Sequence, residues 1–323
     1  MNKKHIFIIV GFVLLSMILL PVGYRFYKQY KEQNLRGEYA FSTTRQNIRR
    51  LAGVEINSAE NGTVSLRKKD SVWHFVQASD YFANSEAVAE LYKMINTAVI
   101  SSVVPADFAK QKLLTENETK NAAQRGVEIK TYDSDGVLLD SAVISKQDKS
   151  DQYILRYEGG HYTYLISSGF EAMEKPQTWV PYPLLSVLPE HILQIKSAER
   201  SISAAYIRQN ATRNLFLQNL LMNLQFVEYD GIIKKTDAPE VQNLVPRHWQ
   251  IVTPVGLIYD LNIYKDSLIY WLEIGLSSVK IPHKEVPEFI QNNQRYFDQW
   301  FFMLNDLQGE LFYEAPDYFP QES

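Results

Sequence analysis

The 323-residue chain contains no cysteine. That absence removes a disulfide framework, a cysteine-ligated zinc site, an iron–sulfur cluster, a cysteine nucleophile and a lipid-bearing lipobox cysteine, and it fits an oxidising exterior. An excess of one charge sign is lacking too: 33 Lys plus Arg stand against 37 Asp plus Glu, for a formal net charge of -4. Nothing global attracts a phosphate backbone, so no nucleic-acid partner is expected. Walker and dinucleotide glycine patterns, H-E-x-x-H and G-x-S-x-G are all missing, which disfavours ATP hydrolysis, zinc proteolysis and a serine-elbow hydrolase. His5, His74, His161, His191, His248 and His283 are scattered with no close pair at helical spacing. No metal and no cofactor are therefore expected.

What is present begins at the N-terminus. Lys3, Lys4 and His5 precede an apolar run from Ile6 to Leu20, which extends through Pro21, Val22, Gly23 and Tyr24 to about the length of a bilayer-crossing helix. A cleaved signal peptide competes with a retained anchor. The flank favours the anchor: no small-x-small site follows, and Tyr24, Arg25, Phe26, Tyr27, Lys28, Gln29, Tyr30 and Lys31 form an aromatic and basic belt of the interfacial kind. The expectation is an inner-membrane, single-pass protein with the lipid bilayer as one partner. Arg25, Lys28, Lys31 and Arg36 conflict with Lys3 and Lys4 over orientation. The basic tip before the apolar run and the missing cysteine favour a periplasmic or otherwise extracytoplasmic body.

Length implies two domains. Short strands of period two run from Val54 onward, with amphipathic helices between them. Asn84 or Ser85 caps a helix carrying Val88, Leu91, Tyr92 and Ile95 at i, i+3, i+4 and i+7. Strands are expected at Gly126–Tyr132, Leu138–Ser145, Tyr153–Tyr157 and Tyr162–Ser167. The order then recurs. Val54–Glu60 is echoed by Leu193–Glu199, and Leu217, Leu220, Leu221 and Leu224 repeat the helix stripe 129 residues on, which suggests a duplication. Gly256–Tyr264 is the expected counterpart of Gly126–Tyr132. Pro176, Pro181, Pro183 and Pro189 make a stiff connector. A final helix is expected after Pro287, carrying Phe289, Ile290, Tyr296, Phe297, Trp300, Phe301 and Leu304. The expected fold class is α+β: an N-terminal transmembrane helix with its flank (1–38), then two related units, each a mostly antiparallel sheet with packed helices (39–180 and 191–323, joined by 181–190).

Candidate chemistry is sparse. Asp133, Asp135 and Gly136 read as a hairpin turn or a weak cation site. Glu116 with Glu118, or Asp148 with Asp151, would be carboxylate pairs but read as solvated loop positions. No catalytic residue is named. Tyr157, His161, Tyr162 and Tyr164 are the one candidate recognition surface, since Tyr joins contact area to a polar tip; sheet propensity explains them more cheaply.

Val64-Ser65-Leu66-Arg67, Val72-Trp73-His74-Phe75, the helix around Val88 to Ile95, Gly126-Val127-Glu128-Ile129 and the strands Tyr153–Tyr157 and Tyr162–Leu165 together resemble an uncharacterised bacterial membrane-anchored domain family, associated with auxiliary components of gliding-type ABC transport systems. The resemblance covers about Tyr39 to Tyr206. It implies an externally exposed accessory protein and carries no catalytic signature. The expected function is a non-enzymatic, membrane-tethered accessory or scaffold protein contacting a transport system or another envelope protein. The alternatives are a glycan- or peptide-binding module and an envelope hydrolase.

Overall fold

A computed structural model of the chain describes residue 30 and residues 34–147, 152–167, 173–181 and 183–320. The expected membrane run and its flank, Tyr24, Arg25, Tyr27 and Lys28, lie outside the described residues, as do Asp148 and Asp151. The fold class is corrected. The described residues form sixteen strands in two antiparallel sheets, and among them no helix is long and apolar enough to cross a membrane. Of the seven described helices only three exceed ten residues, so the sheets, rather than an even mixture, carry the architecture.

Two compact units divide the chain: residues up to Val76 with Ala83–Trp179, and Gln77–Phe82 with Val180–Ser323. In the first, helix α1 (Ser42–Gln46) precedes strands β1 (Leu51–Ser58), β2 (Gly62–Lys69) and β3 (Val72–Phe75). The short β4 (Tyr81–Phe82) counts with the second unit. Helix α2 (Ser85–Thr97) then leads to β5 (Ile100–Val104), β6 (Val127–Asp133), β7 (Leu138–Lys146), β8 (Tyr153–Tyr157) and β9 (Thr163–Ile166). Among the eight strands of this unit's own residues the spatial order is β3-β2-β1-β6-β7-β8-β9-β5.

Helix α2 starts where the Asn84 side chain accepts the Glu86 N–H at 3.0 Å, satisfying one of the free donors of the first turn. Its stripe buries Leu91 and Ile95 fully, and each such side chain contributes about 1.5–3 kcal/mol. The other sheet face is covered by residues 105–126, whose Leu113 packs on Val143 and Ile154.

The second unit repeats this plan. Strands β10 (Gln194–Lys196) and β11 (Ser201–Ser203) form a hairpin, and helices α3 (Ala204–Asn210) and α4 (Leu215–Gln225) follow. After β12 (Gly231–Lys234) and helix α5 (Pro239–Gln242) come β13 (Arg247–Val252), β14 (Leu257–Asp266) and β15 (Ile269–Ser278). Helix α6 (Val286–Asn293), β16 (Trp300–Leu304) and helix α7 (Asp306–Tyr318) close the chain. The spatial order β11-β10-β13-β14-β15-β16-β12 matches β2-β1-β6-β7-β8-β9-β5 strand for strand.

Two local expectations are corrected here. The counterpart of β6 is β13, not Gly256–Tyr264, which falls in β14: Ile56 faces Ile129 as Ile195 faces Ile251. The expected last helix ends at Asn293, and Trp300–Leu304 is a strand between β15 and β12. A run of five apolar residues buried on both faces has no period to distinguish strand from helix.

Helix α7 lies directly on this sheet. A side chain at Gly309 would place its Cβ 2.5 Å from the Tyr270 ring, so only glycine permits the approach. Phe312 and Ala315 are fully buried on the same side, and Trp249 Nε1 donates to the Phe312 carbonyl at 3.1 Å. Tyr81 of β4 belongs to this core, its ring edge-on to Trp300 and Phe302 with centroids 5.0 and 5.7 Å away.

Candidate functional site

The four aromatic and histidine candidates do not share one open face. Tyr164 is buried with its ring 5.6 Å from that of Tyr157, and the Tyr157 hydroxyl donates to the Ala40 carbonyl at 2.8 Å. Burial pushes the Tyr157 phenol well above its usual range. His161 is exposed and Tyr162 half-buried in the turn that follows. Tyr157 and Tyr164 share one face of the β8–β9 pair, whereas His161 and Tyr162 lie in the connection before β9 starts at Thr163.

The carboxylate candidates are tied to arginines. Glu116 pairs with Arg125 at 3.2 Å. Glu118 meets both terminal nitrogens of the buried Arg156, one of them at 2.9 Å, and also accepts from the Thr115 N–H at 2.8 Å and the Thr115 hydroxyl at 3.0 Å. The Arg156 hydrogen bond is the main reason that the Glu118 carboxyl is held down at about 2. Asp133 accepts from the Val137 and Asp135 backbone N–H groups, both at 2.9 Å, and these bonds, the Val137 one foremost, lower its proton affinity. Arg50 lies between the Asp133 and Asp135 carboxylates at 2.6 and 2.9 Å. The turn is thus closed by a guanidinium where a cation was considered. Among the described residues no group of three or more His, Asp or Glu is placed to hold a metal ion.

Sequence reasoning missed the clefts. In the first unit an open cleft of about 1000 Å³ is lined by Ser58, Glu60, Lys112, Arg125, Gly126 and Lys146 among others. In the second, one of about 550 Å³ is lined by Gln194, Lys196, Glu199, Arg200, His248 and Gln250 among others. Each opens at the same point of the shared plan, the tip of the first hairpin. Ser58-Ala59-Glu60 stands at one rim, and Ser197-Ala198-Glu199 stands at the other. The repeated Ser-Ala-Glu is the signal in the sequence that marks both places.

The two clefts differ in chemistry. By register, Gly126 occupies the place that His248 takes in the second unit. A Cβ at Gly126 would run into the Lys112 carbonyl oxygen of the covering segment and would come 2.6 Å from Val143 Cγ1 and 2.8 Å from the Ile144 carbonyl oxygen of β7. The corresponding segment of the second unit, residues 235–246, is shorter and leaves its sheet face open and polar.

His248 Nε2 lies 3.5 Å from Asp260 Oδ1. Gln250 Nε2 donates to the same oxygen, and the Ser277 hydroxyl donates to Asp260 Oδ2 at 2.5 Å. A nucleophilic relay needs the base between the nucleophile and the acid. Here the carboxylate is central, and the serine proton is committed to it. The cluster is a hydrogen-bonding surface.

Glu273 is embedded in a further network on this face. Burial opposes its ionisation, but bonds from Lys235, from Tyr264 at 2.7 Å and from Asn262 at 3.0 Å outweigh that and hold its carboxyl below the usual range.

Comparison with known proteins adds no relative: no family model, no curated protein and no solved structure matches the chain.

Proposed function

We propose that the chain is a non-enzymatic accessory or scaffold protein of a bacterial envelope, held at the membrane by the apolar run Ile6–Leu20 and contacting a transport system or another envelope protein through its two sheet units. The observation that carries this reading is the repeated placement of an open polar cleft at the Ser-Ala-Glu hairpin tip of each unit. Hydrogen-bonding groups displayed twice on a stiff sheet suit recognition of a macromolecule. Tethering raises the effective concentration, so a weak interface suffices. The polar side chains at the clefts, Arg125 with Glu116 and His248 with Asp260, are organised by one another.

Photo-crosslinking from Glu60 and from Glu199 in intact membranes tests the reading. The expected result is a defined protein adduct from each position. Recovery of monomer alone from both positions overturns it, as does turnover of an envelope polymer that is lost on substituting His248 or Asp260.

A further inference from the structure

The two units share one sheet plan, so the covered face of the first unit is a template for the open face of the second. Register sets the equivalences. Ile129 and Ile251 hold the same place, and counting outward from them puts Val143 of β7 level with Asp260 of β14. One strand further, Val143 faces Arg156 and Asp260 faces Gly275, while Ser145 faces Ile154 and Asn262 faces Glu273. Asp260, Glu273 and Gly275 thus stand where the first unit has Val143, Ile154 and Arg156.

In the first unit this face is covered by the chain itself. Leu113 packs on Val143 and Ile154, and Glu118 of the same segment meets the guanidinium of Arg156. The sheet supplies the cation there, and the cover supplies the carboxylate. In the second unit that polarity is reversed. Carboxylates replace the two apolar side chains, and no side chain rises from Gly275. A Cβ built at Gly275 would meet only atoms of Asp260, at 3.3 to 4.0 Å, so no other part of this chain lies that close to it.

The two carboxylates are not equivalent. Glu273 already holds Lys235, Tyr264 and Asn262. Asp260, its side chain 24% exposed, has Gln250 and Ser277 as donors and the His248 ring at 3.5 Å, and among the described residues no Lys or Arg pairs with it. A partly buried carboxylate gains most from a cation brought to it. Lys196 stands in the same row but two strands away, beyond Gln250. The face therefore has no general excess of negative charge, and its selectivity is local to Asp260.

We infer that the open sheet face of the second unit docks a segment of a partner protein that lays an arginine side chain over Gly275 and onto Asp260. The partner supplies in trans the guanidinium that Arg156 supplies in the first unit. The inference rests on the accessory reading above and names the partner's chemistry. Arginine suits the place better than lysine, because its planar fork offers a carboxylate two parallel donors.

The test titrates the full chain with three probes: a peptide alternating threonine and arginine, the same peptide with citrulline in place of arginine, and a chito-oligosaccharide. The arginine peptide is expected to bind, and the uncharged citrulline peptide and the sugar to fail. Asp260→Asn keeps the shape of the side chain and should weaken the arginine peptide at least about tenfold. Gly275→Arg installs the first unit's arginine beside Asp260 and should block the peptide to a similar degree while near-ultraviolet circular dichroism stays native. Failure of the arginine peptide to bind, equal binding of the two peptides, unchanged binding by either variant, or sugar binding that Asp260→Asn abolishes overturns the inference. A photo-crosslinker at Ile258, which faces Ser277 at the margin of the same face, separates the two readings in intact membranes. Adducts from Glu60 and Glu199 but none from Ile258 remove the arginine site and leave the scaffold reading, whereas silence at all three positions removes both.

Discussion

Glu118 clasps both terminal nitrogens of Arg156, whose guanidinium also lies 4.6 Å over the Phe108 ring. A charge this buried survives only with its partner. Glu118→Ala is expected to cost about 3 kcal/mol in chemical denaturation, and Glu118→Leu with Arg156→Met less than that, because the double variant leaves no orphaned guanidinium. A double variant worse than the single one would show that the pair acts by other means.

The same carboxylate sets an acid limit. Its proton affinity is lowered on folding, so its contribution is present above the unfolded carboxylate range and is lost as pH falls toward about 2. With the side chain 37% exposed, the contribution is discounted to about 1–2 kcal/mol. The stability gap between the native chain and Glu118→Gln should narrow from pH 5 downward; a gap constant with pH contradicts this.

Tyr157 is assigned to the core rather than to recognition. Tyr157→Phe deletes its bond to the Ala40 carbonyl and should cost about 1 kcal/mol of stability. An unchanged melting curve would return this hydroxyl to the candidate surface.

Gly309→Ala forces a methyl group into the Tyr270 ring. A loss of about 1–3 kcal/mol is expected, and the double variant with Tyr270→Gly, which removes the opposing Cβ together with the ring, should lose less than the sum of the two single variants. An additive double variant would show that the two residues do not compete for the same space.

Tyr81→Ala should destabilise the second unit by about 3–5 kcal/mol, and Tyr81→Phe by about 1 kcal/mol through loss of its 3.0 Å bond to the Tyr296 carbonyl. Fluorescence of the neighbouring Trp300 reports the change locally.

Much of the local structure was legible in the chain. The Asn84 cap, the stripe Leu91 and Ile95, and its repeat at Leu220 and Leu224 follow from spacing that any amphipathic helix obeys. Register was not legible, because alternating strands look alike under a shift: Gly256–Tyr264 mimics β6, yet the pairing of Ile195 with Ile251 gives that place to β13. Trp300–Leu304 misled for a different reason, since burial on both faces erases the alternation. The Glu118–Arg156 pair joins residues separated by 38 positions, and only the folded sheet makes them neighbours. The clefts were not legible: their only trace in the chain is a repeated tripeptide, and a repeat does not say which end of a hairpin opens to solvent.

The inclusion of Gln77–Phe82 in the second unit bears on the timing of biosynthesis. Tyr81 leaves the ribosome early, whereas its hydrogen-bond partner Tyr296 follows 215 residues later. The aromatic cluster of that unit cannot close until nearly the whole polypeptide has been made. Closing so distant a contact is slow, and a chain stalled before Trp300 would display Tyr81 to chaperones and proteases.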